Sequence, residues 1–403
     1  MSFEEEDELE LKDAKTWATG LPAVKSSLKH VYENAGLARG TEALLKLNQK
    51  RGFDCPSCAW PDPDDHRAVA EFCENGAKAV ASETTTRTIT REFFARHAIA
   101  ELLEKSDAWH EQQGRLAEPM VRRPGATHYT PITWEDAISL LADELKALDN
   151  PNKAIFYTSG RTSNEAAFLY QLLVRLYGTN NLPDCSNMCH ESSGAAMKAS
   201  VGGGKGTVTL EDIYEADTIL CIGQNPGTNH PRMLSALEKA VKNKCEIIAV
   251  NPLKEAGLMA FANPQKPLGI LNRSTQLTSQ YLQVRPNGDQ ALLRAVAKFW
   301  LTWEEAGEKV FDQAFLKEHT TGHQEYLKTV ARSDWDQLLE ESGLPKEEIE
   351  KLARTMLRGR RKLITCWAMG ITQHRNAVST IREITNLHLL LGAIGRPGAG
   401  LCP

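Results

Sequence analysis

Asp217-Thr218-Ile219-Leu220-Cys221-Ile222-Gly223-Gln224-Asn225-Pro226-Gly227 is the stretch whose reading decides the fold. A short, unbroken apolar run closed by glycine and small polar residues reads as a strand buried on both faces, opening into a loop. A helix pattern follows over Met233 to Lys242, then a second buried strand, Cys245-Glu246-Ile247-Ile248-Ala249-Val250, which ends at Asn251-Pro252. The same order is predicted twice more. Ala154-Ile155-Phe156-Tyr157-Thr158 runs into Ser159-Gly160-Arg161-Thr162-Ser163-Asn164 and a helix from Glu165 to Tyr177. Leu363-Ile364-Thr365-Cys366-Trp367-Ala368 runs into Met369-Gly370-Ile371-Thr372-Gln373 and a helix from Asn376 to Leu391. Strands alternating with helices predict an α/β, multidomain protein with Rossmann-like, mostly parallel sheets and flanking helices. Ligands of such sheets sit at the carboxyl ends of the strands, where these loops place Gly, Ser, Thr, Asn and Gln. Small residues there let a ligand approach the backbone, and helix N-termini offer N–H groups to phosphates.

Composition narrows the function. The 403 residues are 41% hydrophobic and 25% charged, with a formal net charge of -5. That balance, with no basic run interleaved with aromatics, argues against a nucleic-acid partner. No window approaches the length of a membrane span. The start, Met1-Ser2-Phe3-Glu4-Glu5-Glu6-Asp7-Glu8, is acidic where a secretory signal is basic and then apolar, so a cytoplasmic location is expected. The nine cysteines are then expected to be reduced, buried or metal-bound. Residues 1–50 read as a polar tail with one covering helix near Leu44 to Leu47. Thr133 reads as the N-cap of a helix whose buried stripe is Ile138, Leu141, Leu145 and Leu148. Residues 302–360 read as a helical insertion, with capping-box spacing at Thr302-Trp303-Glu304-Glu305 and a proline-led first turn at Pro345. Gly202-Gly203-Gly204-Lys205-Gly206-Thr207 fails the phosphate-loop pattern, and no G-x-G-x-x-G follows the first strand.

Two cysteine motifs carry chemistry. In the first, Cys55-Pro56-Ser57-Cys58 has the spacing of a ligand knuckle, and Cys73 can add a third sulfur. An iron–sulfur cluster, a structural zinc completed by His66, and three unconnected thiols all fit that spacing. The second is Asp184-Cys185-Ser186-Asn187-Met188-Cys189-His190-Glu191-Ser192-Ser193-Gly194. It sets a thiol, a soft ligand and nucleophile, beside a base that titrates near neutrality.

In this order the motifs over residues 51–403 resemble the molybdopterin oxidoreductase family, and within it a formate dehydrogenase alpha-subunit-like branch. The resemblance implies a bis-molybdopterin guanine dinucleotide carrying molybdenum or tungsten, and a 4Fe-4S cluster on Cys55, Cys58 and Cys73. Lys78 is the nearest match to the family lysine between cluster and pterin. Thr179-Asn180-Asn181 leading to Cys189-His190 is similar to the segment whose cysteine binds the metal. It implies Cys189 as metal ligand and His190 as the proton acceptor when formate becomes carbon dioxide. Arg161, Asn164, Gly223, Asn225, Asn251, Gly370, Thr372 and Gln373 fall in segments that resemble pterin-nucleotide loops. Gly288 and Asp289, in Arg285-Pro286-Asn287-Gly288-Asp289, fall in one that resembles a guanine-nucleotide turn.

Two residues depart from the family pattern. Ala59-Trp60-Pro61-Asp62 follows Cys58 where formate dehydrogenases bring a further cysteine, which leaves the fourth ligand open. Glu191 follows His190 where they continue Gly-Pro, and its carboxylate would oppose an anionic substrate. The implied organisation is an iron–sulfur and pterin-contacting region at 51–118, the first part of an α/β domain at 119–184, a Rossmann-like domain at 185–384, and a return into the earlier domain at 385–403. The chain then reads as the N-terminal part of a longer protein with a small-molecule substrate and an electron-transfer partner subunit. A non-catalytic scaffold or electron-transfer subunit of the same fold and a zinc-knuckle α/β binding protein are the alternatives.

Overall fold

The computed structural model describes residues 13–403 apart from 59, 65 and 161, and residue 186 by its backbone alone. Most of the expected polar tail, residues 1–12, lies outside the described residues, as does Arg161. Where the sequence predicts one N-terminal helix there are two, α1 (Leu21–Ala35) and α2 (Leu37–Lys46). The described chain divides into two compact units.

The smaller unit comprises Lys25–Ser57 and Ala68–Cys185. It holds α2, α3 (Glu74–Glu83), α4 (Trp134–Lys146) and α5 (Asn164–Tyr177). Thr133 caps α4 as expected, its hydroxyl accepting from the Asp136 N–H. Ala154 to Thr158 is extended but forms no ladder, only a single bridge from Thr158 to Asp184 and a 2.9 Å bond from Phe156 N to Asn181 O. Ala154 and Phe156 pack with Val174, Leu145 and Tyr177. The expected stripe of α4 is only partly covered: Leu145 is packed, whereas Ile138 and Leu141 are 62% and 65% exposed. No described element of this unit lies over that face.

The larger unit comprises Ala14–Val24, Cys58–Arg67 and Ser186–Pro403. Its helices α6 (Cys185–Cys189, begun in the other unit) and α7 (Glu191–Val201) precede β1 (Thr218–Ile222), α8 (Met233–Lys242), β2 (Glu246–Val250) and β3 (Thr278–Leu282). Then come α9 (Asp289–Glu305), α10 (Lys346–Arg358), β4 (Leu363–Trp367), α11 (Ala377–Leu391) and β5 (Gly400–Cys402). The strands form one parallel sheet in the order β3-β2-β1-β4-β5. Alternate side chains serve two cores. Leu220, Ile222, Ile248 and Val250 pack on α9, α10 and α11, while Ile219, Cys221, Ile247 and Ala249 pack on Met233, Leu234 and Leu237 of α8. Covering both faces explains the unbroken apolar runs.

Thr302 starts no helix. The apolar series Ala291, Leu292, Ala295, Val296, Phe299, Trp300 and Trp303 carries α9 on to Glu305, and the Thr302 hydroxyl donates back to Lys298 O at 2.9 Å. The buried pair Arg294–Glu383 joins α9 to α11, with Tyr326 donating to Glu383 at 2.7 Å. His388 on α11 is also buried. Its Nδ1–H donates to Ala393 O at 2.9 Å, and the Thr365 hydroxyl donates to Nε2 at 2.8 Å. The ring is therefore neutral, and burial pushes its pKa down to about 4.

The loops after β1 and β4 meet backbone to backbone. Gly370 N–H donates to Gly223 O at 3.0 Å, and a Cβ on Gly223, whose φ is 60°, would lie 2.8 Å from Gly370 C. Gly223→Ala is expected to lower unfolding free energy by about 2–4 kcal/mol. Gly322→Ala, with similar φ but open space around it, should lose about 1 kcal/mol. Urea midpoints of the two variants check this. Between pH 6.5 and about 4 the unfolded chain binds a proton that buried His388 refuses, so stability falls as pH falls through that window. His388→Gln should flatten that component, on the order of 3 kcal/mol, in urea titrations from pH 7 to 4.5.

Candidate functional site

The carboxyl ends of β1, β2 and β4 carry Gly223, Asn225, Asn251, Gly370, Thr372 and Gln373 of the residues singled out from sequence. β1 and β4 are neighbours whose connections leave in opposite directions, the topology at which open α/β sheets bind ligands. Asn251, at the end of β2, is buried, and its Nδ2 donates to Gln224 O at 2.9 Å. Asn225 donates to Glu255 at 2.7 Å. Gln224 is 8% exposed and its Nε2 reaches Met233 Sδ at 3.4 Å, while its buried Oε1 has no hydrogen-bond partner among the described residues.

The segment bearing Cys189 and His190 is tied to the loop after β4. Gln373 Nε2 donates to Met188 O at 2.9 Å, and the Ser192 hydroxyl donates to Thr372 O at 3.1 Å. Cys189 is exposed at the end of α6, and His190 follows as the N-cap of α7. Ser193 Oγ, fully buried, accepts from Trp367 Nε1 at 2.9 Å and lies 3.1 Å from His190 Nδ1. In the tautomer that donates Nδ1–H to Ser193, Nε2 keeps a lone pair. Burial, then the charge of His230, holds His190 below the ordinary imidazole range. A neutral imidazole beside an exposed thiol can accept a proton near neutral pH.

His230, in the loop after β1, lies near His190, whose pKa its charge helps to lower. Its pKa is lowered by its own burial, its buried Nδ1 has no hydrogen-bond partner among the described residues, and Trp60 lies 6.3 Å away ring to ring. Arg232 beside it pairs with Asp62 at 2.7 Å and donates to Trp60 O at 3.3 Å. The one sequence signal was a histidine directly before Pro231 after the β1 loop.

Asp289 begins α9 and is buried, and its carboxyl is pushed up to about 6 by that burial. His374 is the charge that opposes the shift. Gly288 serves packing, since a Cβ there would meet Glu341 O at 2.5 Å. Glu191 is exposed and accepts from Asn187 at 3.0 Å.

The remaining predicted residues are elsewhere. Cys55 and Cys73, in the smaller unit, flank Gly76: a Cβ on that glycine would lie 2.9 Å from one sulfur and 3.9 Å from the other. Cys73 caps α3, accepting from Gly76 N at 3.4 Å, and Cys55 accepts from Ser57 N at 3.4 Å. Cys58 and His66 belong to the Cys58–Arg67 segment of the larger unit. Among the described residues no three His, Cys, Asp or Glu side chains converge as a metal site. Lys78, on α3, pairs with Glu74 at 2.7 Å, and Asn164 is the exposed first residue of α5. A cleft of about 710 Å3 in the smaller unit is lined by Phe94, Leu102, Tyr129 and Trp134. Its Glu118 is engaged by Arg91 and its His110 by Leu102 O, so it shares none of this chemistry.

Comparison with known proteins gives the family. Residues 115–402 match the molybdopterin oxidoreductase family model. The chain is 53% identical over 390 residues to the Uncharacterized oxidoreductase Rv2900c of Mycobacterium tuberculosis, covering 96% of this chain and 50% of that protein. It is 44% identical over 392 residues to Protein YdeP of Escherichia coli, covering 96% and 51%. Formate dehydrogenase H of Escherichia coli is more distant, 28% identical over 294 residues and covering 72% and 38%. The chain thus spans about half the length of the first two relatives. Acetylene hydratase from Pelobacter acetylenicus shares the fold, with a TM-score of 0.56 at 20% identity over 69% of this chain and 35% of that one. With the family model covering most of its length, the chain belongs to the molybdopterin oxidoreductase family.

Proposed function

We propose that the chain forms the metal-ligand and pterin-nucleotide-binding portion of a molybdenum- or tungsten-dependent oxidoreductase of formate dehydrogenase type, acting on formate or a related small substrate. The observation that carries the reading is the double tie of the Cys189-His190 segment to the loop after β4, through Ser192 and Gln373. The residues suit a bis-molybdopterin guanine dinucleotide. Gly223 and Gly370 leave the loops after β1 and β4 free of side chains at their contact, and among the described residues the buried Gln224 Oε1 and His230 Nδ1 have no hydrogen-bond partner. When bound, this group supplies the two-electron redox chemistry.

The chain's own residues do the rest. Cys189 offers a soft thiolate ligand. His190, oriented by Ser193 and Trp367, takes up the substrate proton at Nε2. Asp289 suits guanine, which presents two adjacent N–H donors to a carboxylate, and Asn225, Asn251, Thr372, Gln373, Arg161 and Asn164 are assigned to binding the cofactor. Cys55, Cys58 and Cys73 are assigned to a 4Fe-4S cluster, with Lys78 as the lysine between cluster and pterin. N–H donors to cysteine sulfur, as at Cys55 and Cys73, tune such clusters. Electrons leave the cluster for a partner subunit. Nine cysteines without a disulfide fit a reducing compartment such as the cytoplasm. Among the described residues no helix is long and apolar enough to cross a membrane.

Metal analysis of the anaerobically purified protein should find iron together with molybdenum or tungsten. Cys189→Ala should lose turnover while iron is retained, and Cys58→Ser should bleach the visible cluster absorption. Zinc alone, or unchanged activity in Cys189→Ala, refutes the reading. Asp289 gives a second test. Its carboxyl ionises at about pH 6 when folded and near 3.8 when unfolded, so its cost grows as pH rises through that window. Asp289→Asn should therefore be more stable than the parent above pH 6, by up to about 3 kcal/mol. Calorimetry should show the same variant binding guanosine diphosphate more weakly.

A further inference from the structure

Asn48, which follows α2 and its cap Leu47, is 2% exposed although its side chain is an amide. A buried amide needs hydrogen-bond partners. Here they are the backbones that carry Cys55 and Cys73. Asn48 Oδ1 accepts from the Cys55 N–H at 2.8 Å, and Nδ2 donates to Glu71 O, in the turn just before Cys73, at 2.7 Å. Its own N–H donates to Phe53 O at 2.8 Å, which closes the turn leading to Cys55. The backbone of Asn48 is left-handed, with φ at 56°, a conformation that asparagine adopts more readily than most residues.

The two segments deliver their sulfurs to one point. A Cβ on Gly76, in the first turn of α3, would lie 2.9 Å from Cys55 Sγ, 3.9 Å from Cys73 Sγ and 3.9 Å from Leu47 Cδ2. Neither sulfur is placed by a ladder or a helix interior, since Cys55 sits in a loop and Cys73 is the N-cap of α3. Leu47 is fully buried with Ala43 and Val80, and Cys55 and Phe72 pack against that small core. Apolar packing is non-directional, so it sets depth rather than aim. The bond to the Cys55 N–H fixes the peptide plane from which the Cα–Cβ bond leaves, and with it the direction of the sulfur.

We propose that Asn48 is a positioning residue for the Cys55–Cys73 sulfur pair, one amide setting both ligand-bearing backbones at the separation a shared metal centre needs. The proposal rests on the reading of these cysteines as cluster ligands. Asn48 acts through the ligands' backbones, and groups in that position hold ligand geometry for the metal, so their loss typically costs about 10- to 100-fold in metal affinity. Cysteine spacing does not mark it, because it stands outside the Cys55-Pro56-Ser57-Cys58 knuckle in the turn that precedes it.

The first test needs no cluster. In the reduced, iron-free Cys58→Ser chain, Cys55 and Cys73 are the single cysteines of tryptic peptides 52–67 and 68–78. Dibromobimane, which fluoresces once both its arms have reacted with thiols, should join those two peptides. Asn48→Gly keeps the left-handed backbone free of strain and removes both side-chain bonds, and its cross-link yield should fall severalfold. Val80→Ala weakens the same small core without touching either bond and should cross-link like its parent. In the chain that retains Cys58, anaerobic reconstitution with ferrous iron and sulfide gives a second readout. The cluster absorption should decay to a chelator about 10-fold faster in Asn48→Gly than in the parent. The proposal is overturned if Asn48→Gly cross-links as well as its parent, or no worse than Val80→Ala. Failure of the Cys58→Ser chain itself to join the two peptides overturns it too, and that result needs no further variant to fold. If the pair cross-links with the expected dependence on Asn48 but the parent takes up no iron, the cluster reading fails while the placement of the sulfurs by Asn48 stands.

Discussion

The contact of Gly223 with Gly370 is the constraint on which the site depends. Two adjacent parallel strands end at the same level, and their loops turn away in opposite directions. Gly223, directly after β1, and Gly370, three residues past the end of β4, approach closer than any side chain permits. A Cβ on either glycine would come within 3 Å of the other's backbone. The hydrogen bond from Gly370 to Gly223 then fixes the β4 loop against the β1 loop. Without it, Thr372 and Gln373 would have no defined position from which to hold the segment before α7.

From that contact the geometry passes outward through hydrogen bonds rather than apolar packing. Ser193 is the junction. One buried hydroxyl joins the indole of Trp367, at the end of β4, to the imidazole of His190, on the chain entering α7. The sheet therefore orients the histidine directly. The thiol beside it is left exposed, as a ligand or nucleophile must be. Under the proposed function, that rigid placement of His190 beside an open sulfur is what the protein supplies to its cofactor.

The strands of the large sheet were legible because both their faces are buried, which writes an apolar run into the sequence with little ambiguity. Thr218–Ile222, Glu246–Val250 and Leu363–Trp367 follow that rule. Ala154 to Thr158 looks the same in sequence but has no ladder, because apolarity alone does not supply a neighbouring strand. Ile138 and Leu141 fail similarly: periodicity marks the face of a helix that can be buried, while burial needs something to lie over it. The capping-box spacing at Thr302 lost to the longer apolar periodicity of α9, whose packing on the sheet outweighs a local hydrogen bond. Cysteine spacing marked Cys55, Cys58 and Cys73, but spacing carries no information on how ligands converge. The surroundings of His230 were not legible, because they come from what folds around it, Trp60 from an early segment and Arg232 from its own turn.

Buried acids separate structural from functional reading in the larger unit. Glu238 is compensated from several sides, accepting from Lys266 at 2.6 Å, Asn263 at 2.8 Å and Lys242 at 3.1 Å, and is held below the ordinary carboxylate range. Glu383 has Arg294 and Tyr326. Both acids tie elements of the fold together, and removing one partner from such a pair strands the other charge. Asp289 is equally buried, yet no cation among the described residues forms an ion pair with it, and its carboxyl rises instead of falling. A carboxylate held at a net cost, on the first residue of a helix whose second residue, Gln290, accepts from Asn376 beyond the β4 loop, is intelligible as a group kept for a ligand's donors.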